Sequence, residues 1–146
     1  MEKSRAGEAV RRYLQGYNCC QAVVCTYCDL LGVDEKTGFR MSEAFGFGVA
    51  GMQGMCGSVS AMQILAGLAG SDGNLEKPGT KRAVYGTGRA MAESFAAKNT
   101  SMFCRDLRGD GRGKLRSCPG CVLDGARIVE KTLFPGAFEP YEGDEH

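Results

Sequence analysis

Cysteine is the residue type in this sequence that is best able to do chemistry. The chain has eight cysteines among 146 residues, no tryptophan, and one histidine, His146. A single histidine in the last position excludes Ser-His-Asp hydrolysis, Cys-His proteolysis and histidine-rich zinc sites, because each of these needs a positioned imidazole. The chemistry predicted from composition is therefore that of sulfur: nucleophilic attack, disulfide exchange or metal ligation.

Two CxxC pairs are present, and their sequence contexts differ. Cys25 and Cys28 fall inside a predicted helix, about 60° apart around its axis, with no basic residue on either flank. We interpret them as small apolar packing residues. Cys118 and Cys121 instead begin a predicted helix, because Pro119 suits the first helical position and would leave Cys118 as the cap. A thiolate at that end faces unpaired N–H groups and the positive end of the helix dipole, which lower its pKa.

The segment before Cys118 is rich in basic residues. They are only partly offset by Asp106 and Asp110, and we predict that they add positive potential around the Cys118 thiol. The alternative is an ordinary solvated loop. The basic residues are Arg105, Arg108, Arg112, Lys114 and Arg116.

Cys56 follows a glycine-rich segment, GFGVAGMQGMCG at residues 46–57, and precedes an apolar helix. The string GFGVAG matches the dinucleotide-binding fingerprint, but no parallel-sheet pattern surrounds it, so we interpret its glycines as residues of tight turns. Backbone N–H groups freed there could also hold an anion or a sulfur-ligated cluster. We predict that Cys56 is the most acidic thiol and Cys118 the second, provided that burial does not raise the pKa of Cys56.

The elements that position these cysteines are predicted to be helices throughout. Apolar residues recur at spacings of three and four, and no alternating β-branched run occurs. Asn18, Asp34 and Thr80 are suitable N-caps for three of the helices. The fold class is therefore predicted to be all-α, a single-domain bundle of about five to seven helices over residues 1–138, followed by an acidic polar tail at 139–146.

The first and last helices have clear predicted buried faces. The apolar stripe of the first helix is Val10, Tyr13, Leu14 and Tyr17, and that of the last helix is Val122, Ala126, Val129 and Leu133. Solvent is predicted to cover the charged residues of the last helix, which are Asp124, Arg127, Glu130 and Lys131.

Charge and hydropathy bear on partners and location. A formal net charge of +1 lacks the basic excess that is typical of a nucleic-acid binder. The N-terminal residues contain no apolar secretory region, so we expect a cytoplasmic protein with reduced thiols. No charge occurs between Glu43 and Asp72, a stretch long enough to cross a bilayer. Its glycines and polar residues favour a buried loop and core helix instead.

Four short motifs follow one another in a recognisable order. They are NCCQAVV at 18–24, CGSVSA at 56–61, FCRDL at 103–107 and SCPGCV at 117–122. Together they resemble the redox-active protein family named for four cysteines and a CGAxxG motif, over roughly residues 16–133. The resemblance implies that the site residues are Cys19, Cys56, Cys104 and Cys118.

The chain departs from that family pattern at the signature itself. Ser58 stands where the family has alanine, and Ala61 stands where it has glycine. Both changes replace one small residue by another and should keep the packing close. The resemblance treats the remaining cysteines as additions of this chain, and it implies bacterial or archaeal cytoplasm, commonly in anaerobes, with genes near those of transporters. The additional residues are Cys20, Cys25, Cys28 and Cys121.

Three functions are open for four cysteines on separate helices. The first is thiol–disulfide exchange with a partner protein or a small oxidant, which needs no cofactor; Cys56 or Cys118 would attack and a second thiol would resolve. The second is a zinc ion or an iron–sulfur cluster held by Cys19, Cys56, Cys104 and Cys118. The third is a non-catalytic helical module that binds a partner protein or a membrane transporter, with the cysteines buried for packing.

Overall fold

Seven α-helices account for most of the described chain, which is residues 1–109 and 113–146 of a computed structural model. The helical content is 66%, and no strand occurs in those residues, so the predicted all-α class is confirmed. Asp110 and Arg112, which were predicted to flank Cys118, lie outside the described residues. The helices are α1 (Ala6–Leu14), α2 (Cys19–Tyr27), α3 (Glu35–Ser42), α4 (Gly57–Gly70), α5 (Lys81–Asn99), α6 (Cys104–Arg108) and α7 (Cys118–Leu133).

Helix α2 is the centre of the bundle. All nine of its residues are buried, and α1, α3, α4 and α7 pack around it. Asn18 caps it as predicted: its Oδ1 accepts a hydrogen bond from the Gln21 N–H at 2.9 Å, and the Gln21 Oε1 accepts one from the Asn18 N–H at 3.0 Å. This reciprocal capping box fixes the first turn of α2. The cap therefore fixes the position of Cys19, the first residue of the helix.

Helix α4 packs against α2, α5 and α7. Its first residue must be glycine, because a Cβ on Gly57 would collide with the Cys19 sulfur and lie 2.9 Å from the Cys20 nitrogen. The uncharged stretch thus forms a glycine-rich segment and a core helix, as predicted. In the described part of the chain, no helix has both the length and the apolar character needed to cross a membrane.

The charged face predicted for α7 is wrong at Asp124 and Glu130, which are only 2% and 8% exposed. A buried carboxylate is stable when donors from other elements compensate for its lost hydration. Periodicity within one helix cannot reveal such donors. The donors to Asp124 are Lys98, Asn99 and Arg116, and those to Glu130 are Ser4, Arg5 and Tyr27.

The stripe predicted for α1 is wrong at Leu14, which is 66% exposed. The helix instead turns Ala6, Ala9 and Val10 into the core, with Tyr13 half-buried at its edge. Small alanines allow α1 to approach α7 closely, which brings Tyr13 towards the start of α7.

The segment predicted as an acidic tail, 139–146, lies back against the bundle. The Glu139 N–H donates to the Glu2 carbonyl at 2.7 Å, and Arg127 pairs with Glu145. At its end, the Ser117 hydroxyl donates to the His146 carbonyl at 2.6 Å. The last residues of the chain therefore lie beside the start of α7.

Candidate thiol redox site

Five of the eight cysteines line one small cavity of about 20 Å³. Four of them are the cysteines that the family resemblance implied, so the predicted residues from four separate segments are brought together. The fifth is Cys121. The full lining is Cys19, Phe47, Cys56, Gly57, Cys104, Leu107, Arg108, Arg116, Cys118 and Cys121.

The cavity lies where several helices begin. Cys19 and Cys118 are the first residues of α2 and α7, Cys56 is the N-cap of α4, and Cys104 is the first residue of the short helix α6. The first backbone N–H groups of a helix have no partner within it, and they favour a negative charge nearby. The fold therefore surrounds the sulfurs with backbone donors.

A short antiparallel bridge holds the Cys56 and Cys104 segments side by side. Met55 pairs with Phe103, the Cys56 N–H donates to the Met102 carbonyl at 2.7 Å, and the Cys104 N–H donates to the Gly54 carbonyl at 3.1 Å. These bonds join residues far apart in sequence. They fix the backbones of the two cysteines at the same wall of the cavity.

Cys56 shares the cavity with Cys19 and Cys121, and both of these thiols act on its pKa. The hydrogen bond with Cys121 raises the pKa of Cys56, the bond with Cys19 lowers it by less, and burial adds to the rise. The hydrogen bond with Cys56 and burial likewise raise the pKa of Cys19 well above its ordinary value. The prediction that Cys56 is the most acidic thiol is therefore wrong, because neighbouring thiols compete with it for one negative charge.

Backbone donors do reach these sulfurs, as the glycine-rich segment led us to expect. The N–H groups of Phe47 and Gly57 point at Cys19, and that of Ser58 points at Cys56; each acts to lower the pKa of the thiol it contacts. Burial and thiol–thiol hydrogen bonding outweigh them, so these two thiols are held protonated near neutral pH.

The segment over the cavity, residues 47–52, has a left-handed backbone. Phe47, Val49, Ala50 and Met52 have φ values between 55° and 63°, where side chains crowd the backbone at a cost of about 1–2 kcal/mol each. Gly48 is required within it, since a Cβ there would collide with the Cys104 side chain. The segment is therefore strained, its first residue Phe47 lines the cavity, and its local structure is unlike a dinucleotide-binding loop.

Cys118 is the accessible thiol of the cavity, because it is half-buried while the other seven described cysteines are buried. Ser117 caps α7 by accepting a hydrogen bond from the Gly120 N–H at 3.0 Å. Cys118 is thus the first helical residue and Pro119 the second, one position later than predicted. Burial, followed by hydrogen bonding to Cys118, raises the pKa of Tyr13 to about 12.

Arg108 is a basic residue that lines the thiol cavity. Its guanidinium carbon lies 4.6 Å from the centre of the Phe47 ring, and it is hydrogen-bonded to Cys104. Its Nε is buried and has no hydrogen-bond partner within residues 1–109 and 113–146. Burial raises the pKa of Cys104, and the charge of Arg108 opposes that rise. Arg116 also reaches the cavity, but Asp124 binds it at 2.9 Å.

Cys121 is the site residue that the sequence reasoning missed, since it has no counterpart among the four family cysteines. The sequence pattern that could have identified it is its position three residues after Cys118 at the start of a helix, because this spacing places both thiols on the same side of the helix. The Ser58 hydroxyl donates to the Cys121 carbonyl at 2.7 Å. Two residues that depart from the family pattern therefore contact each other.

The remaining cysteines lie elsewhere. The Cys25 thiol donates to the Glu35 carbonyl at 3.6 Å, and the Cys28 thiol donates to the Asp34 carbonyl at 3.8 Å. Burial, followed by the neighbouring Cys28, raises the pKa of Cys25 to about 12. Cys20 is fully buried in α2, and burial raises its pKa as well. None of the three lines the thiol cavity.

Thiolates are the ligands of structural zinc and of iron–sulfur clusters, so the donor type at the cavity suits both. Among residues 1–109 and 113–146, no three Cys, His, Asp or Glu side chains are grouped so that they could hold a metal ion. All eight cysteines are free thiols. The cavity is therefore a cluster of reduced thiols.

The comparison with known proteins agrees with this cluster. Residues 17–132 match the family model described as "Putative redox-active protein (C_GCAxxG_C_C)". No curated protein and no solved structure matches the chain significantly. The matched range includes all four cysteines of the motif order and most of the bundle, so the chain belongs to this redox-active protein family.

Proposed function

We propose that the protein is a dithiol redox protein in which Cys118 attacks a disulfide and Cys121 resolves the mixed disulfide. The single observation that carries this proposal is the pairing of an accessible thiol with a buried one. Cys118 is half-buried at the start of α7, and Cys121 is buried one turn further on at the same cavity. No cofactor is needed for this reaction.

The helix gives the two cysteines a geometry that suits a disulfide. Residues three apart in an α-helix have Cα atoms about 5 Å apart, inside the range that a disulfide spans. Because the spacing comes from the helix itself, Cys118 and Cys121 can form a disulfide with little movement of the backbone. The pair therefore satisfies the first requirement of a redox couple.

The reaction proceeds in two displacements. The Cys118 thiolate attacks one sulfur of the partner disulfide, the partner S–S bond breaks, and one partner sulfur leaves as a thiolate. Cys121 then gives its proton to that partner thiolate and attacks the Cys118 sulfur, the bond between Cys118 and the partner breaks, and the second partner sulfur leaves as a thiolate. The partner gains two electrons, and the protein is left with a Cys118–Cys121 disulfide that a dithiol can reduce by the reverse steps.

The other cavity residues have supporting roles in this proposal. Arg108 lines the cavity together with Cys118 and brings a positive charge to it. Cys56 and Cys19 line the same cavity and lie deeper in the bundle than Cys118. Cys104 binds Arg108 and so helps to hold its charge beside Cys118.

The test is to treat the reduced protein with glutathione disulfide and to map its disulfides by peptide mass spectrometry. Wild type should form a Cys118–Cys121 disulfide. Cys121→Ser should accumulate a glutathione adduct at Cys118, and Cys118→Ser should lose the fast reaction. Cys20→Ser is the matched control, because that thiol is fully buried and does not line the cavity.

Three results would overturn the proposal. Oxidation that joins other cysteines, with Cys118 unmodified, would move the working thiol elsewhere. Zinc or iron retained at one equivalent per chain after purification without oxygen, and lost in Cys56→Ser, would favour the metal-binding function instead. Partner capture that is unaffected by replacing all five cavity cysteines would favour a non-catalytic binding module.

A further inference from the structure

We infer that the partner of the Cys118–Cys121 pair is a protein whose disulfide lies in an accessible segment, with apolar residues beside the cysteine and an acidic residue close by. This inference rests on the proposed dithiol function and specifies the partner. It is carried by an exposed apolar surface around the thiol cavity and by two arginines at its edge. Glutathione disulfide can react at the same half-buried thiol, but it has no apolar side chains to cover that surface.

Four large apolar side chains are exposed around the cavity, and we call them the apolar rim. Their exposed fractions lie between 38% and 52%. Single exposed apolar residues are normal, whereas a group of them in one place is typical of an interaction site. The apolar rim consists of Phe47, Val49, Phe103 and Leu115.

The first two members of the apolar rim belong to the left-handed segment. Phe47 lines the cavity itself. Val49 lies against Gly54, since a Cβ on Gly54 would be 2.9 Å from the Val49 side chain. The Gly54 carbonyl accepts a hydrogen bond from the Cys104 N–H at 3.1 Å, and Cys104 is a lining residue. Both side chains are therefore held next to the wall of the cavity.

The other two members of the apolar rim flank the short helix α6. Phe103 immediately precedes Cys104. The Leu115 N–H donates to the carbonyl of Leu107, a lining residue, at 3.0 Å. Every member of the apolar rim is thus a lining residue, or adjoins one or is hydrogen-bonded to one through the backbone of its own segment.

Exchange at Cys118 brings the partner chain to this surface. In the mixed disulfide, the Cα atoms of Cys118 and of the partner cysteine lie within about 7 Å of each other. The residues on either side of the partner cysteine follow at about 3.8 Å per residue, so they lie over the surroundings of Cys118. Burial of the apolar rim is favourable when those residues are apolar.

Two arginines at the edge of the apolar rim favour an acidic residue in the partner. Arg105 and Arg108 are three residues apart on α6 and therefore share one side of it. Within residues 1–109 and 113–146, neither forms an ion pair. Asp106 lies between them in sequence, and its carboxylate accepts a hydrogen bond from the Ser101 hydroxyl. An acidic side chain on the partner would complement the charge of the two arginines.

Thiol–disulfide exchange with such a partner balances without a cofactor. The Cys118 thiolate attacks one partner sulfur, the partner disulfide breaks, and its other sulfur leaves as a thiolate that takes up the Cys121 proton. Cys121 then displaces the first partner sulfur, which leaves as a thiolate and takes up the proton that Cys118 lost. The partner disulfide is reduced by two electrons, and Cys118 and Cys121 are oxidised to a disulfide.

The experiment uses short synthetic peptides, each oxidised to its symmetric disulfide dimer, as oxidants of the reduced protein. The apolar peptide has leucine and phenylalanine beside its cysteine and an aspartate two residues away. The polar peptide has serine and glycine beside its cysteine and the same aspartate. The apolar peptide should form the Cys118–Cys121 disulfide at least about tenfold faster than the polar one. Peptide mass spectrometry measures the rates, and glutathione disulfide is the reference oxidant.

Variants of the apolar rim separate recognition from the reactivity of the peptide itself. Phe103→Ser with Leu115→Ser should lower the rate with the apolar peptide about tenfold and leave the rate with glutathione disulfide within about twofold of wild type. Leu115→Ser alone should show part of this loss, and it covers the case in which the double variant does not fold. Leu75→Ser is the matched control, because Leu75 is 92% exposed between α4 and α5 and does not line the cavity.

A charge reversal tests the acidic residue of the partner. Wild type should react about threefold or more faster with the apolar peptide than with the same peptide carrying asparagine in place of aspartate. Arg105→Glu should abolish or reverse that preference, because Arg105 is exposed and the change leaves both cysteines in place. An unchanged preference for aspartate in Arg105→Glu would overturn the charge part of the inference.

The outcomes separate this inference from the function beneath it. If the apolar and polar peptides oxidise wild type equally fast through Cys118 and Cys121, the partner inference is wrong and the dithiol function stands. A preference that survives Phe103→Ser with Leu115→Ser, or that is lost in Leu75→Ser, would also overturn it. Sedimentation of wild type as a dimer and of the double variant as a monomer would assign the apolar rim to a second copy instead. If no disulfide oxidant joins Cys118 to Cys121, both the inference and the dithiol function are wrong.

Discussion

Two pairs of cysteines with the same CxxC spacing occupy opposite kinds of helix end in this protein. Cys118 and Cys121 begin α7, where backbone N–H groups are free, and they face a cavity with Arg108. Cys25 and Cys28 close α2, and both thiols donate to backbone carbonyls. A thiol that donates to a carbonyl is held protonated, whereas one that faces N–H groups and a cation is favoured as thiolate.

The comparison teaches that spacing alone does not identify a redox pair. The surroundings of the sulfurs differ: N–H groups are free where Cys118 and Cys121 begin α7, whereas Cys25 and Cys28 donate to the carbonyls of Glu35 and Asp34 at the start of α3. A CxxC pair at the start of a helix is therefore a candidate for chemistry, and the same pair at the end is a candidate for packing. The first two predictions below test that difference directly, and the last two test how the cavity beside Cys118 and Cys121 is built.

The largest expected effect is on disulfide formation in the two double variants. Cys118→Ser with Cys121→Ser should abolish formation of a disulfide by glutathione disulfide, because both the attacking and the resolving sulfur are gone. Cys25→Ala with Cys28→Ala should leave the rate within about twofold of wild type. The measurement is the number of free thiols lost over time. Equal loss of reactivity in both variants would contradict the difference between a CxxC pair at the start of a helix and one at its end.

The second prediction is the pH dependence of Cys25 alkylation. Burial raises the pKa of Cys25 to about 12, so its thiolate fraction should grow about tenfold per pH unit between pH 7 and 10 without a plateau. The unfolded thiol ionises at lower pH than the folded one, so ionisation of Cys25 should reduce the free energy of unfolding as pH rises above about 8.5. Labelling with iodoacetamide and peptide mapping checks the first part. A plateau below pH 9 would contradict the protonated, buried state of Cys25.

The third prediction concerns the glycine that brings two helix starts together at the cavity. Gly57→Ala should lower the free energy of unfolding by about 2–3 kcal/mol, because the new Cβ meets the Cys19 sulfur and the Cys20 backbone. Gly67→Ala is the control on the same helix. A Cβ there meets nothing within 4 Å, so that variant should be neutral or more stable by up to about 1 kcal/mol. Urea denaturation of both variants is the measurement, and equal effects would show that the approach of α4 to α2 is not constrained at Gly57.

The smallest expected effect is that of Ser58→Ala, which restores the residue of the family motif. It removes the hydrogen bond to the Cys121 carbonyl and should lower the free energy of unfolding by about 0.5–1.5 kcal/mol. The rate of the Cys118–Cys121 couple should change by less than about threefold, because the sulfurs keep their positions on α7. Ser60→Ala is the control, since Ser60 is a buried serine of the same helix that does not line the cavity. A larger loss of rate than of stability would assign Ser58 a role in positioning Cys121.

Local signals in the sequence predicted much of the fold. The Asn18 cap, the start of α7 beside Pro119 and the all-α class follow from patterns within a few residues of one another. The order of four motifs implied Cys19, Cys56, Cys104 and Cys118 as one site, and these four share a cavity.

The features that sequence reasoning missed all depend on contacts between distant segments. Asp124 is buried because donors from α5 and from the segment before α7 surround it, and Cys56 is held protonated because Cys121 lies against it. The left-handed run at 47–52 contains valine and alanine, which carry no local preference for that conformation. Only the packing of the bundle determines these features.

The strain in residues 47–52 has a consequence for local stability. Four non-glycine residues are held in the left-handed region, each at a conformational cost of about 1–2 kcal/mol. An opening of this segment would relieve that cost. We therefore expect the amide protons of this segment to exchange with solvent at a lower opening free energy than those of α2 or α4, as segments of low local stability do. Such an opening would expose the sulfurs of Cys19 and Cys104 for short periods while the seven helices remain folded.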